Sequence, residues 1–93
     1  MIASFRGSDT EAIWRGELSR RLPPEIQQTA RRKLRMLNNA RSLMDLRVPP
    51  ANRLEALKRD RKGQHAIRIN DQWRICFVWT DARPANVEIV DYH

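Results

Sequence analysis

The sequence holds one cysteine, two histidines and three glycines in 93 residues. Each scarcity excludes something. Cys76 has no partner for an internal disulfide, which suits a reducing compartment. It lies between Ile75 and Phe77 in an alternating apolar run, the setting of an inert buried thiol rather than a nucleophile. His65 and His93 with a single cysteine offer no zinc-ligand spacing, so no metal site is expected. Gly7, Gly16 and Gly63 are too far apart to form a phosphate-cradling loop, and no cofactor is expected. No apolar run approaches the length of a membrane span, and Met1 to Gly7 lack the basic-then-hydrophobic order of a secretory signal. The expectation is a cytoplasmic chain with no membrane partner, folded as a single domain over residues 1–93.

What is abundant is positive charge. Eighteen Lys and Arg oppose eleven Asp and Glu, a net charge of +7 with an isoelectric point near 11.0. Most of the excess is arginine, whose planar fork matches phosphate. A small domain this basic has nucleic acid as its default partner, although a solvated basic surface or an acidic protein partner fits the charge as well. A hydrophobic share of 41% is enough for one compact core.

The pattern changes once, near the middle. Ile2 to Phe5 reads as a short first strand. Ser8 or Asp9 is placed to cap a short helix from Thr10 to Trp14, and Gly16 to end it. Pro24 fits the first turn of a second helix, from Glu25 to about Ala40. In that helix Ile26, Ala30, Leu34 and Leu37 are spaced by four, four and three, which makes one apolar stripe. Arg31, Arg32 and Arg35 fall off the stripe and face outward. Arg53 to Lys58 reads as a strand, followed by a charged turn at Asp60–Gly63 and a strand from Ala66 to Ile69. Asn70-Asp71-Gln72 forms a tight turn. In the next strand Trp73, Ile75, Phe77 and Trp79 share one face, and Arg74, Cys76 and Val78 the other. Both faces are mainly apolar, as in a central strand. Asp81 to Asn86 reads as a longer hairpin loop before a last strand, Val87 to Val90. Helices first and a meander after them predict an α+β domain, with the helices packed on one face of a mainly antiparallel curved sheet.

The polar groups on or beside that sheet suggest chemistry. Glu55 and Lys58 precede Arg59, Arg61 and Lys62 in the turn; Arg68 and Arg74 project from neighbouring strands; Asp91, Tyr92 and His93 close the sequence. Cutting RNA needs a base for the 2′-OH proton, an acid for the leaving 5′ oxygen, and cations for the charge on phosphorus. Glu55 and His93 are candidate proton carriers, Lys58, Arg68 and Arg74 a candidate clamp. Tyr92 can stack on a base or bond a phosphate. Plainer arrangements fit the same residues: an exposed Glu55–Lys58 pair, Arg74 snorkelling to water, a frayed terminus, and a solvated Arg31–Arg35 helix face.

These segments resemble the HigB toxins of the RelE/ParE superfamily. The resemblance rests on Arg53-Leu-Glu-Ala-Leu-Lys58, Asp60-Arg-Lys-Gly63, Ile67-Arg-Ile-Asn-Asp-Gln-Trp-Arg-Ile-Cys-Phe77 and Val90-Asp-Tyr-His93, together with Ile2-Ala-Ser-Phe5 and the helix at Pro24. It implies a RelE-like fold in the order β-α-α-β-β-β-β. It implies a ribosome-dependent, metal-independent endoribonuclease that cuts mRNA in the A site. It also implies a HigA-like helix-turn-helix antitoxin, through which alone operator DNA is bound. It assigns Lys58, Arg74, Asp91, Tyr92 and His93 to the active site, with Glu55 where some family members carry histidine. Arg31, Arg32, Arg35, Arg59, Arg61, Lys62 and Arg68 are the expected nucleic-acid contacts. The family turn often reads Leu-Lys-Gly-Asp; here Arg59 stands at the glycine, and a left-handed backbone would strain it, so a different turn is expected. A ParE-like inhibitor of DNA gyrase and a non-catalytic basic RNA-binding module are the alternative functions.

Overall fold

The computed structural model describes residues 1–92, so His93 lies outside the described residues. Two helices, α1 (Ser8–Trp14) and α2 (Pro24–Asn39), precede four strands: β1 (Glu55–Ala56), β2 (His65–Arg68), β3 (Trp73–Thr80) and β4 (Arg83–Asp91). The strands pair antiparallel in the order β1-β2-β3-β4. This is the expected α+β arrangement.

The apolar stripe of α2 explains the packing. Ile26, Ala30, Leu34 and Leu37 are all buried, against Ile67 of β2, Ile75 and Phe77 of β3, and Val87 and Ile89 of β4. Each fully buried Leu, Ile or Phe contributes roughly 1.5–3 kcal/mol by leaving water. Pro24 opens α2 as expected. Gly16 closes α1 with a left-handed backbone, φ 85°, that lets Glu17 N–H reach Ala12 O (2.9 Å) and Gly16 N–H reach Ile13 O (3.0 Å). Neither Ser8 nor Asp9 caps α1; Asp9 instead accepts from Ser19 Oγ at 2.9 Å. Gln27, buried on α2, holds that same loop through Ser19 N–H, Ser19 O and Leu22 O.

Three further expectations are corrected. Ile2–Phe5 forms one parallel bridge, Phe5 to Val87, rather than a strand. Its backbone still covers the outer edge of β4, with Ala3 N–H on Pro84 O and Val87 N–H on Ser4 O. The stretch from Arg53 to Lys58 contains only the two-residue β1, because Arg53 is left-handed at φ 46° and breaks the extended chain. The hairpin loop is two residues, Asp81 and Ala82, both left-handed as a twisted two-residue hairpin requires. Pro84 and Asn86, which read as loop residues, belong to β4: Asn86 at φ 52° sits in a bulge opposite β3, between the pairs Cys76–Glu88 and Val78–Ala85. Ser4 Oγ accepts the Asn86 N–H that the bulge frees from the ladder. Arg59, after Lys58, carries the strain expected of arginine at that position. Its backbone is left-handed, φ 56°, a conformation that a glycine would adopt without strain.

A polar contact also lies inside the fold. The Lys33 ammonium, 5% exposed, donates to Asn52 Oδ1, and Asn52 donates to Leu46 O and Val48 O. Burial, then the neighbouring Arg32, holds the Lys33 pKa below the usual lysine value. Among the described residues no helix is long and apolar enough to cross a membrane.

Candidate active site

Strand alternation puts Ile75 and Phe77 toward the helices and Arg74 and Cys76 on the opposite sheet face. That second face has its own small apolar floor: Leu57, Ala66 and Cys76 are buried there and Val90 packs on them. Burial pushes the Cys76 thiol up to about 11, while Arg61 and Arg74 pull it down and Glu88 and Glu55 push it further up. The thiol is therefore protonated at neutral pH, as its flanking residues suggest, and four charged side chains surround it.

Two open clefts lie above this floor. One, of about 340 Å³, is lined by Glu55, Ala56, Leu57, Lys58, Arg59 and Tyr92. The other, of about 360 Å³, is lined by Arg53, Leu54, Glu55 and Arg74. Glu55 is common to both. The Arg74 guanidinium carbon stands 5.7 Å from the centre of the Tyr92 ring, which joins the clefts from the far side. Arg74 also donates to the carbonyls of Asn70 and Trp73, so its head is held at the β2–β3 turn. Glu55 and Lys58 are exposed, and no ion pair joins them among the described residues. The exposed Glu55–Lys58 pair is thus not formed.

The fold brings Glu55, Lys58, Arg59, Arg74 and Tyr92 together. Asp91 pairs opposite Trp73 and accepts from Gln72 Nε2 at 3.0 Å. His93, the remaining expected site residue, lies outside the described residues. Arg68 is paired with Asp71 in the β2–β3 turn. Lys62 is exposed. Arg31, Arg32 and Arg35 line a separate polar cleft with Gln28 on α2, the helix packed on the other face of the sheet. Arg31 closes over Gly16, where a Cβ would meet its Nη2 at 2.6 Å. Among the described residues no three His, Cys, Asp or Glu side chains gather to hold a metal.

Sequence reasoning missed two charged members of this site: Arg53, which lines the second cleft, and Glu88. Glu88 of β4 pairs opposite Cys76 and contacts Arg61 at 3.4 Å. The signal was present, since Val87 and Ile89 alternate with Glu88 and Val90, which puts Glu88 on the Cys76 side.

The family model for a RelE-like toxin of the type II toxin–antitoxin system HigB matches residues 4–93. The chain belongs to the HigB-like toxin family. It is 37% identical over 87 residues to toxin HigB-1 of Vibrio cholerae serotype O1, covering 92% of both chains. It is 31% identical over 72 residues to an uncharacterised protein of Haemophilus influenzae, covering 77% of this chain and 71% of that one. A crystal structure of a YafQ variant from E. coli has the same fold, with a TM-score of 0.62 at 12% identity over 98% of this chain and 93% of that one. The toxin of a type II system has an antitoxin as its partner, so this HigB-like chain has one too.

Proposed function

We propose that this toxin is a ribosome-dependent endoribonuclease that cuts mRNA in the A site and so stops translation in the cytoplasm. The observation that carries this reading is the convergence of Glu55, Lys58, Arg74 and Tyr92 on two clefts that share Glu55 and are linked by the Arg74–Tyr92 contact. In this reading the Glu55 carboxylate takes the proton from the 2′-OH. The freed oxygen attacks the adjacent phosphorus, the bond from phosphorus to the 5′ oxygen breaks, and a 2′,3′-cyclic phosphate forms. His93, next in sequence to Tyr92, gives the 5′ oxygen its proton, and Asp91 orients the end of the chain. Lys58 and Arg74 bear the charge that develops on the phosphoryl oxygens, as oriented cations do in a partly desolvated site. Tyr92 stacks on a base and is itself held by Arg74. Arg59 and Lys62 meet RNA at the mouth of the cleft. Arg68 and the α2 arginines Arg31, Arg32 and Arg35 give sequence-independent phosphate contact, Arg68 after release from Asp71. The proposed partners are a HigA-like helix-turn-helix antitoxin, the ribosome and mRNA, with operator DNA reached only through the antitoxin.

The test is a 5′-labelled mRNA offered naked and on programmed ribosomes. Fragments ending at A-site codons only with ribosomes support the reading. Equal cutting of naked RNA removes the ribosome from it. With a folded protein and no cut in either sample, inhibition of DNA gyrase in a supercoiling assay becomes the alternative.

A further inference from the structure

Arg61 does not behave like the other cations of its turn. Arg59 and Lys62 are exposed, whereas the Arg61 side chain folds back and is 32% exposed. Its Nη1 donates to Gln64 Oε1 at 3.1 Å and to Glu88 Oε1 at 3.4 Å. Glu88 comes from the far side of the sheet, on β4, and lies on the site face opposite Cys76. Arg61 thus reaches from the β1–β2 turn over the floor of the site. Among the described residues only one nitrogen of its fork is engaged, shared between the Gln64 amide oxygen and a long contact to the partly exposed Glu88 carboxylate. Such a pair holds weakly and exchanges readily. The remaining N–H groups of the fork match two phosphate oxygens better than one distant carboxylate oxygen.

We propose that Arg61 binds a phosphodiester of the RNA and that Glu88 is its resident counter-ion, which that phosphate displaces. This rests on the sheet face being the RNA site, and names a further pair within it. In the empty site the Glu88 carboxylate keeps Arg61 folded inward and cancels its charge. A single-stranded RNA that also engages Lys58, Arg59 and Arg74 brings its phosphate close enough to compete with Glu88. An isolated anion, lacking those partners, competes less well. Glu88 therefore acts through Arg61 as a positioning residue, and it makes the free toxin less adhesive to arbitrary polyanions.

The test is a double-mutant cycle read by binding. The probe is a short single-stranded RNA carrying 2′-O-methyl groups, which cannot be cut because the attacking hydroxyl is blocked. Glu88→Gln, which keeps shape and removes charge, should tighten binding about three- to tenfold near 0.1 M salt. Arg61→Ala should weaken it about tenfold, and Arg61→Lys, which keeps the charge and loses the fork, by several-fold. In the Arg61→Ala background Glu88→Gln should change binding by less than about twofold, since its effect passes through the Arg61 charge. Equal tightening in all backgrounds would reduce Glu88 to a diffuse repulsive charge and overturn the proposal, as would unchanged or weaker binding by Glu88→Gln alone. Arg61→Gln, which removes the charge and keeps a polar side chain, serves if Arg61→Ala does not fold, judged by thermal melting. The outcome is separable from that of the cleavage assay: a toxin that cuts RNA with an additive cycle loses only this proposal, and one that never cuts but shows the coupled cycle loses only the proposed chemistry.

Discussion

Arg74 lies over the ring of Tyr92, its guanidinium carbon 5.7 Å from the ring centre, and so couples the central strand to the end of the chain. The contact is worth about 0.5–1 kcal/mol at an exposed position. Its larger consequence is placement. Arg74 is anchored by the carbonyls of Asn70 and Trp73, and Tyr92 N–H donates to Gln72 O at 2.7 Å, so both side chains hang from the β2–β3 turn.

Replacing Arg74 by Ala should therefore lower single-turnover cleavage on ribosomes at least about tenfold, as loss of an oriented cation does. Folding should survive, because Arg74 lies outside both apolar clusters. Arg74→Lys should rescue little, since a lysine has neither the flat face for Tyr92 nor the fork for phosphate. Matching melting curves with unequal cleavage rates would bear this out.

Arg59 offers a gain of stability. Its left-handed backbone costs an L-residue roughly 1–2 kcal/mol, and glycine gives back about 0.5–1 kcal/mol through its freer unfolded state. Arg59→Gly should stabilise the fold by about 0.5–1 kcal/mol in urea unfolding. If Arg59 contacts RNA as proposed, the same variant should bind RNA more weakly and with a shallower salt dependence. Stability and affinity then move in opposite directions.

Cys76 should be unreactive while the toxin is folded. A thiol pushed up to about 11 has on the order of a hundredfold less thiolate at pH 8 than one at the reference value of 9.0. Alkylation by iodoacetamide should be slower than for an unfolded control by at least that factor, and should recover in denaturant. Because the folded pKa is the raised one, the contribution of this thiol to stability is whole below pH 9.0 and is lost as pH rises toward 11.

Lys33 predicts the opposite pH trend. Its folded pKa is depressed by burial, so the native state gives up the proton more easily than the unfolded chain does. Stability should rise as pH climbs through the folded pKa toward the unfolded value near 10.5, and fall away again as pH is lowered. Urea midpoints of Lys33→Met, compared with the parent across that range, should lack this component. A parallel pH dependence in the two proteins would contradict the buried ammonium.

How far the sequence could be read depended on whether a feature rests on a local period or on distant partners. The α2 stripe, the Pro24 start, the Gly16 stop and the alternation of β3 each follow from one buried face or one backbone conformation, and the structure agrees with them. Pro84 and Asn86 misled because both look like turn residues locally, yet Ala3 and Ser4, some eighty positions away, supply the partners that keep them in β4. Glu55, Lys58, Arg74 and Tyr92 were legible as chemistry-bearing types near one sheet. Their meeting at shared clefts depends on Tyr92, after β4, lying beside β1 and Lys58. The inward fold of Arg61 was not legible, since nothing in a basic turn marks which arginine turns back toward a carboxylate 27 residues later.

The central claim is that this sheet face cuts mRNA held by the ribosome, and primer extension on programmed ribosomes tests it most directly. The parent toxin should give cuts within the A-site codon, absent from naked mRNA, and Lys58→Ala and Glu55→Gln should each reduce them at least about tenfold while folding normally. Undiminished cutting by both variants, or intact mRNA with the folded parent toxin, would contradict it.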